Sequence, residues 1–397
     1  MIFTTWLYGL FLVVAVAVHW ALPRAARPWW LIGAGIVFYA NYYRPHLPLI
    51  LVVTVLVYGT ARLAVVREIR YRAALLATAI AATLGVLAYY KYTGFAFDTL
   101  TAAGVSVPGA WRPLVAEHVP LAISFFTFEY VHYLIEVRRG TLLPGRPRDF
   151  FLFILFFPTL VCGPIKRFGD FQPQVGTVDR PDHAEVALGL ERIVVGLAKK
   201  LLVADTIQHL ITPLWAVPLG QPTWLLWLMT YGYAFQILFD FSGYSDIAIG
   251  SAQLFGYHVP ENFAYPYLQP NVARFWRCWH MSLTSWITDY VYIPLGGNRR
   301  GRMRAQVNRL VAMSLCGLWH GAAGHFVLWG AYHGVALDLY QVWRRVRVRL
   351  PGPASYGLLG RGIATVVTFH FVCIGWVLFV LDAATARVVI RRLVGLA

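Results

Sequence analysis

Charge is what this 397-residue sequence has least of: 13% of residues are charged and 58% are hydrophobic. Soluble proteins carry about 25% charge. Too few polar side chains are present to cover a water-facing surface, so lipid is the solvent. Disordered, collagen-like and soluble nucleic-acid-binding classes are thereby excluded. Acidic residues are scarce as well, 18 Asp and Glu against 34 Lys and Arg, for a net charge of +16. In a membrane protein that excess follows from the preference of basic residues for inside loops, with anionic headgroups as further partners. The four cysteines, Cys162, Cys278, Cys316 and Cys373, form no CxxC pair and lie in or beside apolar segments, as small packing residues do. The first apolar run lacks a basic n-region and is long enough to span, so no cleavable signal peptide is expected. Internal repeats, low-complexity tracts and linkers to a soluble domain are missing too. One integral membrane domain over 1–397 is expected.

What is present is a succession of apolar runs punctuated by arginine. Ile2 to Leu22 is the first span, and Arg24 and Arg27 after it predict an outside N-terminus. Trp29 to Tyr43 and Leu47 to Val66 follow, and Arg62, Arg67, Arg70 and Arg72 mark the inside. Ala73 to Tyr90 returns, Lys91 to His118 reads as an external loop, and Leu121 to Val137 crosses back to Arg138, Arg139, Arg146 and Arg148. Phe151 to Cys162 is too short to span and ends in Gly-Pro, the pattern of a re-entrant helix whose backbone must be satisfied by protein or water. Further apolar runs lie near Ala187–Val217, Trp224–Phe255, Val311–Trp319, Phe326–Trp343 and Ile363–Leu381. The expected fold is all-α and polytopic, with roughly ten to twelve membrane helices by span length. Its parts are N-terminal spans over 1–137, a core over 150–343 and a C-terminal span over 359–397.

Polar residues inside apolar runs are costly and therefore informative. In FFPTLVCGPIKRFGDFQPQ, proline and glycine free backbone groups beside Lys166 and Arg167, which suits an anionic ligand; an ordinary helix end at the headgroups is the plainer use. In LFDFSGYSDIAIG, Asp240, Ser242 and Asp246 need partners or a water-filled cavity; helix–helix hydrogen bonding is the plainer use. The Gly-Tyr-Ser triplet there lacks the second glycine and the preceding strand of a nucleophile elbow, so a serine hydrolase is rejected. From Asn271 to Gly301, Trp276, Trp279, Leu283, Trp286 and Tyr290 recur on one helical face, with Arg277, His280, Thr284 and Thr288 beside it. With the basic tail Arg299, Arg300, Arg302 and Arg304, this predicts an amphipathic interfacial helix. Either an active-site wall or a structural histidine fits His280. In SLCGLWHGAAGHFVLWGAYHG, Ala312, Cys316, His320 and Gly324 stack at every fourth residue. Small neighbours let helices approach closely or leave a cavity at His320. Partial desolvation there would keep the imidazole neutral, as a general base needs. The spacings among His320, His325 and His333 match no metal motif, so no metal is expected.

These four motifs, FFPTLVCGPIKRFGDF, FDFSGYSDIAIG, FWRCWHMSLTSWITDYVYIPLGGNRRG and LWHGAAGHFVLWGAYHG, in this order resemble the membrane-bound O-acyltransferase family. They look most like its bacterial branch of alginate O-acetylation and lipoteichoic acid D-alanylation proteins. GGNRRG is similar to the alginate type, FFPT and WHMS to the D-alanylation type. The resemblance implies helices around a central funnel in the bacterial cytoplasmic membrane. It implies an O-acyltransferase that takes an acyl group, acetyl in the first instance, from a cytoplasmic thioester to hydroxyls of a cell-envelope polysaccharide. The family's signature histidine matches His320 and a second matches His280. Lys166, Arg167, Asp240, Ser242, Asp246, Arg277, Trp279 and Trp319 are then expected along the substrate path. Acetyl-CoA or an acyl carrier protein is the implied co-substrate, with no permanently bound cofactor. Extracytoplasmic acetyltransferases are further implied partners; nucleic acid is not. The implied alternatives are D-alanyl transfer to a teichoic-acid-type polymer and an acyl conduit serving a partner transferase. A transporter reading has against it the lack of inverted repeats.

Overall fold

The computed structural model describes residues 3–66, 71–114, 118–349 and 357–396, which hold helices and no strand. Arg67 and Arg70 of the expected inner cluster lie outside them. The chain divides into two compact units, Met1–Leu197 with Gly243–Pro260, and Ala198–Ser242 with Glu261–Ala397.

The first unit begins with α1 (Trp6–Ala21), capped by the Thr5 hydroxyl, which accepts from the Tyr8 amide at 3.3 Å. Tyr8, Leu12, Ala15 and His19 form its buried stripe, while Trp6, Leu10, Val13 and Val14 are exposed. A helix apolar all round yet buried on one side lies between protein and lipid. Next come α2 (Arg27–Tyr43), α3 (Leu47–Val66) and α4 (Arg72–Ala102). The segments Arg44–Val65 and Arg72–Ala102 are long and apolar enough to cross a membrane. The loop expected from Lys91 onward is corrected here, because α4 continues through it to Ala102. No proline interrupts that stretch, and the hydroxyls of Thr93, Thr99 and Thr101 donate to carbonyls four residues back at 2.8, 2.7 and 2.9 Å. Gly104, in the left-handed region at φ 81°, ends the helix.

α5 (Ile123–Arg139) and the nine-residue α6 (Pro147–Leu155) follow, then a 3₁₀ turn at Phe157–Thr159. Phe150, Phe153, Ile154, Phe156 and Phe157 are fully buried, so this short element is enclosed by protein, as a non-spanning segment in a membrane must be. α7 (Phe168–Phe171) and α8 (His183–Leu197) complete the unit. α8 packs on the helical segment that starts at Gly243. A methyl group on Gly250 would collide with the Gly189 carbonyl, and one on Gly196 would meet the Gly243 carbonyl at 2.7 Å. Backbone thus lies on backbone along a glycine seam.

The second unit opens with a π-helical stretch, Ala198–Ala204, and α9 (Asp205–Trp215). α10 (Thr223–Gln253) contributes its residues up to Ser242. The continuous interfacial helix expected over Asn271–Tyr290 is not formed. Two short helices, α11 (Val272–Cys278) and α12 (Met281–Ile287), flank a break at Trp279–His280, and a π turn follows at Thr288–Tyr292. Trp276, Trp279, Leu283, Trp286 and Tyr290 are all buried, so the tryptophan stripe faces protein instead of headgroups.

α13 (Arg302–His320) and α14 (Gly324–Arg349) form an antiparallel hairpin. A methyl on Gly317 or Gly330 would collide with the carbonyl of Phe326 or Met313, so these glycines set its close spacing. α15 (Leu358–Val380) is a third helix of membrane-crossing length and composition. The C-terminal α16 (Ala383–Leu393) is a separate amphipathic helix. Asp382 caps it through the amides of Ala384 and Thr385 at 3.0 and 3.1 Å, and Ala386, Val389 and Leu393 are buried.

Candidate active site

His280 occupies the break between α11 and α12, in the left-handed region at φ 43°, and is 1% exposed. A non-glycine residue there costs about 1–2 kcal/mol, so the surroundings must hold it. The amide of Ala264 donates to the Cys278 carbonyl at 3.0 Å, and that of Met281 to the Asn262 carbonyl at 2.9 Å. The Asn262 side chain lies against His280 and Ser282: its Oδ1 is 3.3 Å from His280 Nδ1, 3.3 Å from the Ser282 amide and 2.6 Å from Ser282 Oγ. Nε2 of His280 is buried with no hydrogen-bond partner. Phe241 presents its ring edge-on to the imidazole at 4.6 Å.

His320 ends α13 and is half-buried. The rings of Trp329 and Phe379 stand against it at 5.3 and 5.1 Å. Trp319 lies 4.7 Å from the His320 ring and 5.9 Å from the His280 ring. The two histidines singled out in the sequence therefore share one locality, 40 positions apart in the chain.

A cavity of about 560 Å³ approaches this locality along α13. Arg302, Ala305, Arg309, Ala312 and Cys316 line it at helical spacing, and His320 is the next residue on that stripe. From Arg302 to Cys316 the stripe runs about 21 Å at helical rise. Neither histidine lines the cavity; Cys316 and Trp276, each four residues before one of them in the sequence, bound it. Arg277, Arg344 and Arg345 also face it. Arg309 pairs with Asp338 at 2.5 Å; among the described residues Arg277, Arg302, Arg344 and Arg345 have no acidic partner. Five cations around one apolar-ended cavity suit a ligand with an anionic end and a neutral reactive end.

The other sequence candidates are distributed differently. Trp279 is 3% exposed among Phe275, Tyr267 and Trp376, where the Trp376 indole donates to the Tyr267 hydroxyl at 3.0 Å, so it packs the wall. Asp240 pairs with Lys200 at 2.5 Å, and the same ammonium reaches Asp205 at 2.6 Å. Ser242 is buried at the end of this unit's part of α10. Asp246 lies in the first unit, paired with Arg192 at 3.0 Å. Lys166 is also in the first unit, 2% exposed, bonded to Glu129 at 2.5 Å and lying over the rings of Phe153 and Phe171. Arg167 beside it is half-buried. Of the remaining histidines, His333 Nδ1 accepts from the Trp276 indole at 3.3 Å and His325 Nδ1 donates to the Leu378 carbonyl at 3.0 Å. Among the described residues no three His, Cys, Asp or Glu side chains gather as a metal site. Asn262, Ser282, Arg344 and Arg345 were not anticipated. Asn262 sits in a polar loop with no periodic signal; Arg309 was also missed, although its spacing of seven from Arg302 is a helical signal.

Helices of membrane length, with histidines set beyond the end of a cation-lined cavity, place the protein among integral membrane group-transfer enzymes. The chain belongs to the membrane-bound O-acyltransferase family, whose model matches residues 112–380, and is an acyltransferase. It is 37% identical to the probable alginate O-acetylase of Pseudomonas aeruginosa over 93% of this chain and 70% of the relative. It is 30% identical to the peptidoglycan O-acetyltransferase of Helicobacter pylori over 98% of this chain and 77% of that protein. It is 33% identical to the teichoic acid D-alanyltransferase of Bacillus subtilis over 65% of this chain and 68% of that protein.

Proposed function

We propose that the protein moves an acyl group, acetyl in the first instance, from a cytoplasmic thioester to hydroxyls of a cell-envelope polysaccharide, with His320 as general base. The observation that carries this reading is the α13 stripe, which leads from the arginines past Cys316 to His320. In this scheme the cations hold the phosphates of a coenzyme or of a carrier's prosthetic arm, and the thioester end lies toward the histidines. The acceptor hydroxyl oxygen attacks the thioester carbonyl carbon while His320 takes the hydroxyl proton. The carbon–sulfur bond breaks, and the proton passes to the leaving thiolate, so no net proton is produced. The names of the relatives, two O-acetylating enzymes at near-complete coverage of this chain, favour acetyl over D-alanyl transfer.

The same reading places the protein in the bacterial cytoplasmic membrane with an outside N-terminus, roughly ten to twelve membrane helices by the span-length rule, and a central funnel. In proteoliposomes loaded with acetyl-[¹⁴C]CoA, the expected outcome is label on added envelope polysaccharide. Label that stays protein-bound until an extracytoplasmic acetyltransferase is added would favour the conduit scheme. Label from D-alanyl carrier protein only would favour the D-alanylation scheme. No label from any donor would end the proposal.

A further inference from the structure

The backbone amide of Ser282 fixes the identity of the atom it faces. An amide can only donate, and it points at the side-chain oxygen of Asn262 from 3.3 Å, so that atom is the acceptor Oδ1 and not the amide nitrogen. The Ser282 hydroxyl at 2.6 Å donates to the same oxygen. His280 Nδ1 lies 3.3 Å from it as well, and a ring nitrogen facing a carbonyl oxygen must carry a hydrogen. A neutral imidazole protonated at Nδ1 has its lone pair on Nε2. That nitrogen is fully buried and has no protein partner.

We infer that Asn262 is a positioning residue that holds His280 in the Nδ1–H tautomer, so that Nε2 offers a lone pair to a hydrogen-bond donor on the bound substrate other than the reacting hydroxyl, instead of donating a hydrogen bond to the thioester oxygen. Three further features fit this role. The left-handed backbone at His280 is held by the pairing of 262–264 with 278–281, a local strain retained at a functional side chain. Phe241 and Trp319 pack near the imidazole, with ring centroids 4.6 and 5.9 Å away, and restrict its rotation. His320 shares the locality through Trp319, whose ring lies 4.7 Å from the His320 imidazole and 5.9 Å from that of His280. The inference rests on the acyl-transfer reading for the identity of the substrate, but the tautomer stands without it.

Two measurements test it. In protein labelled with ¹⁵N-histidine and assigned against His280→Ala, His280 is expected to show a protonated-type Nδ1 and an unprotonated-type Nε2. Asn262→Ala is expected to mix or reverse the two. The opposite pattern in the wild type overturns the inference and leaves acyl transfer untouched; a protein with the expected pattern and no transfer from any donor overturns acyl transfer alone. In the transfer assay Asn262→Ala is expected to lower kcat about 10²-fold, within the range of a mis-set catalytic imidazole, with the donor KM changed less than threefold. Asn262→Asp, which keeps the acceptor oxygen, is expected to recover at least tenfold of that loss. Ser282→Ala separates tautomer control from loop support, because it removes a bond to Oδ1 without freeing Nδ1–H. A Ser282→Ala loss equal to that of Asn262→Ala, or no recovery in a well-folded Asn262→Asp, would show that Asn262 only braces the loop.

Discussion

His132 in the first unit and His280 in the second are equally buried, 1% exposed each, and differ at one nitrogen. Both carry Nδ1 against an oxygen, the Phe128 carbonyl for His132 and Asn262 Oδ1 for His280, each at 3.3 Å. Nε2 of His132 then accepts from the Phe168 amide at 3.0 Å, while Nε2 of His280 is left open. A buried polar atom without a partner costs about 1–3 kcal/mol. The first unit avoids that cost at His132, and the second bears it at His280. The charges follow the same division. Lys166 and Arg192 close on Glu129 and Asp246, whereas Arg277, Arg302, Arg344 and Arg345 face an open cavity.

The largest expected effect breaks the second unit at its base. His320→Ala is expected to lower acyl transfer by about 10²–10⁴-fold, the scale of general-base catalysis, in a protein that still purifies as a monodisperse species. Near-normal turnover would remove His320 from proton transfer. The exchange of roles between the two buried histidines sharpens the comparison. His280→Ala is expected to lose less, about 10–10²-fold in kcat, with melting temperature kept. His132→Ala is expected to lower the melting temperature and leave turnover per folded molecule unchanged. Equal losses for His280→Ala and His320→Ala would show that the pair acts as one unit, since such residues are non-additive.

How much of this was legible depended on whether the signal was periodic. α1, α2, α3, α5, α10, α14 and α15 coincide closely with apolar runs, because a membrane helix must be apolar for most of its length. α4 overran its expected end because the glycines and prolines between Lys91 and His118, with few basic residues, read as a loop, while the first of those prolines lies beyond Ala102 and the threonine hydroxyls bond back to the helix. The Asn271–Tyr290 stripe was correctly apolar but wrongly continuous. The bend at His280 pairs with the 262–264 segment, 18 residues away at Asn262, and no local pattern announces it. His280 and His320 could be named from motif and surroundings, yet their meeting at Trp319 is tertiary. Lys166 and Asp246 stood out as intramembrane charges, and their partners Glu129 and Arg192 lie on other helices.

A smaller effect is expected from the open cations. Arg344→Ala combined with Arg345→Ala is expected to raise the donor KM about five- to tenfold, roughly 1–1.4 kcal/mol, with kcat unchanged. The two guanidiniums are exposed at the cavity, far along α14 from the histidines, so they bind without touching the reacting atoms. Raising ionic strength should weaken donor binding in the wild type more than in the double variant, because exposed charges are screened. An unchanged KM and salt response would mean that the cavity holds something other than the donor's anionic end.

The smallest effect on activity is expected at the glycine seam of the first unit. Gly250→Ala inserts a methyl group against the Gly189 carbonyl and the Ile193 side chain, and neither can withdraw without moving α8. Overpacking of this kind costs typically about 1–3 kcal/mol. In a membrane, close helix contact through small residues is itself a principal source of association. Thermal unfolding of the detergent-solubilised protein should therefore shift down by several degrees, while kcat per folded molecule stays at the wild-type value. Gly59→Ala supplies the control, because an added Cβ there meets nothing within 4 Å. If Gly250→Ala instead lowers kcat at unchanged stability, the first unit is not a passive scaffold, and the division between closed and open groups drawn from His132 and His280 does not extend to the helices that carry them.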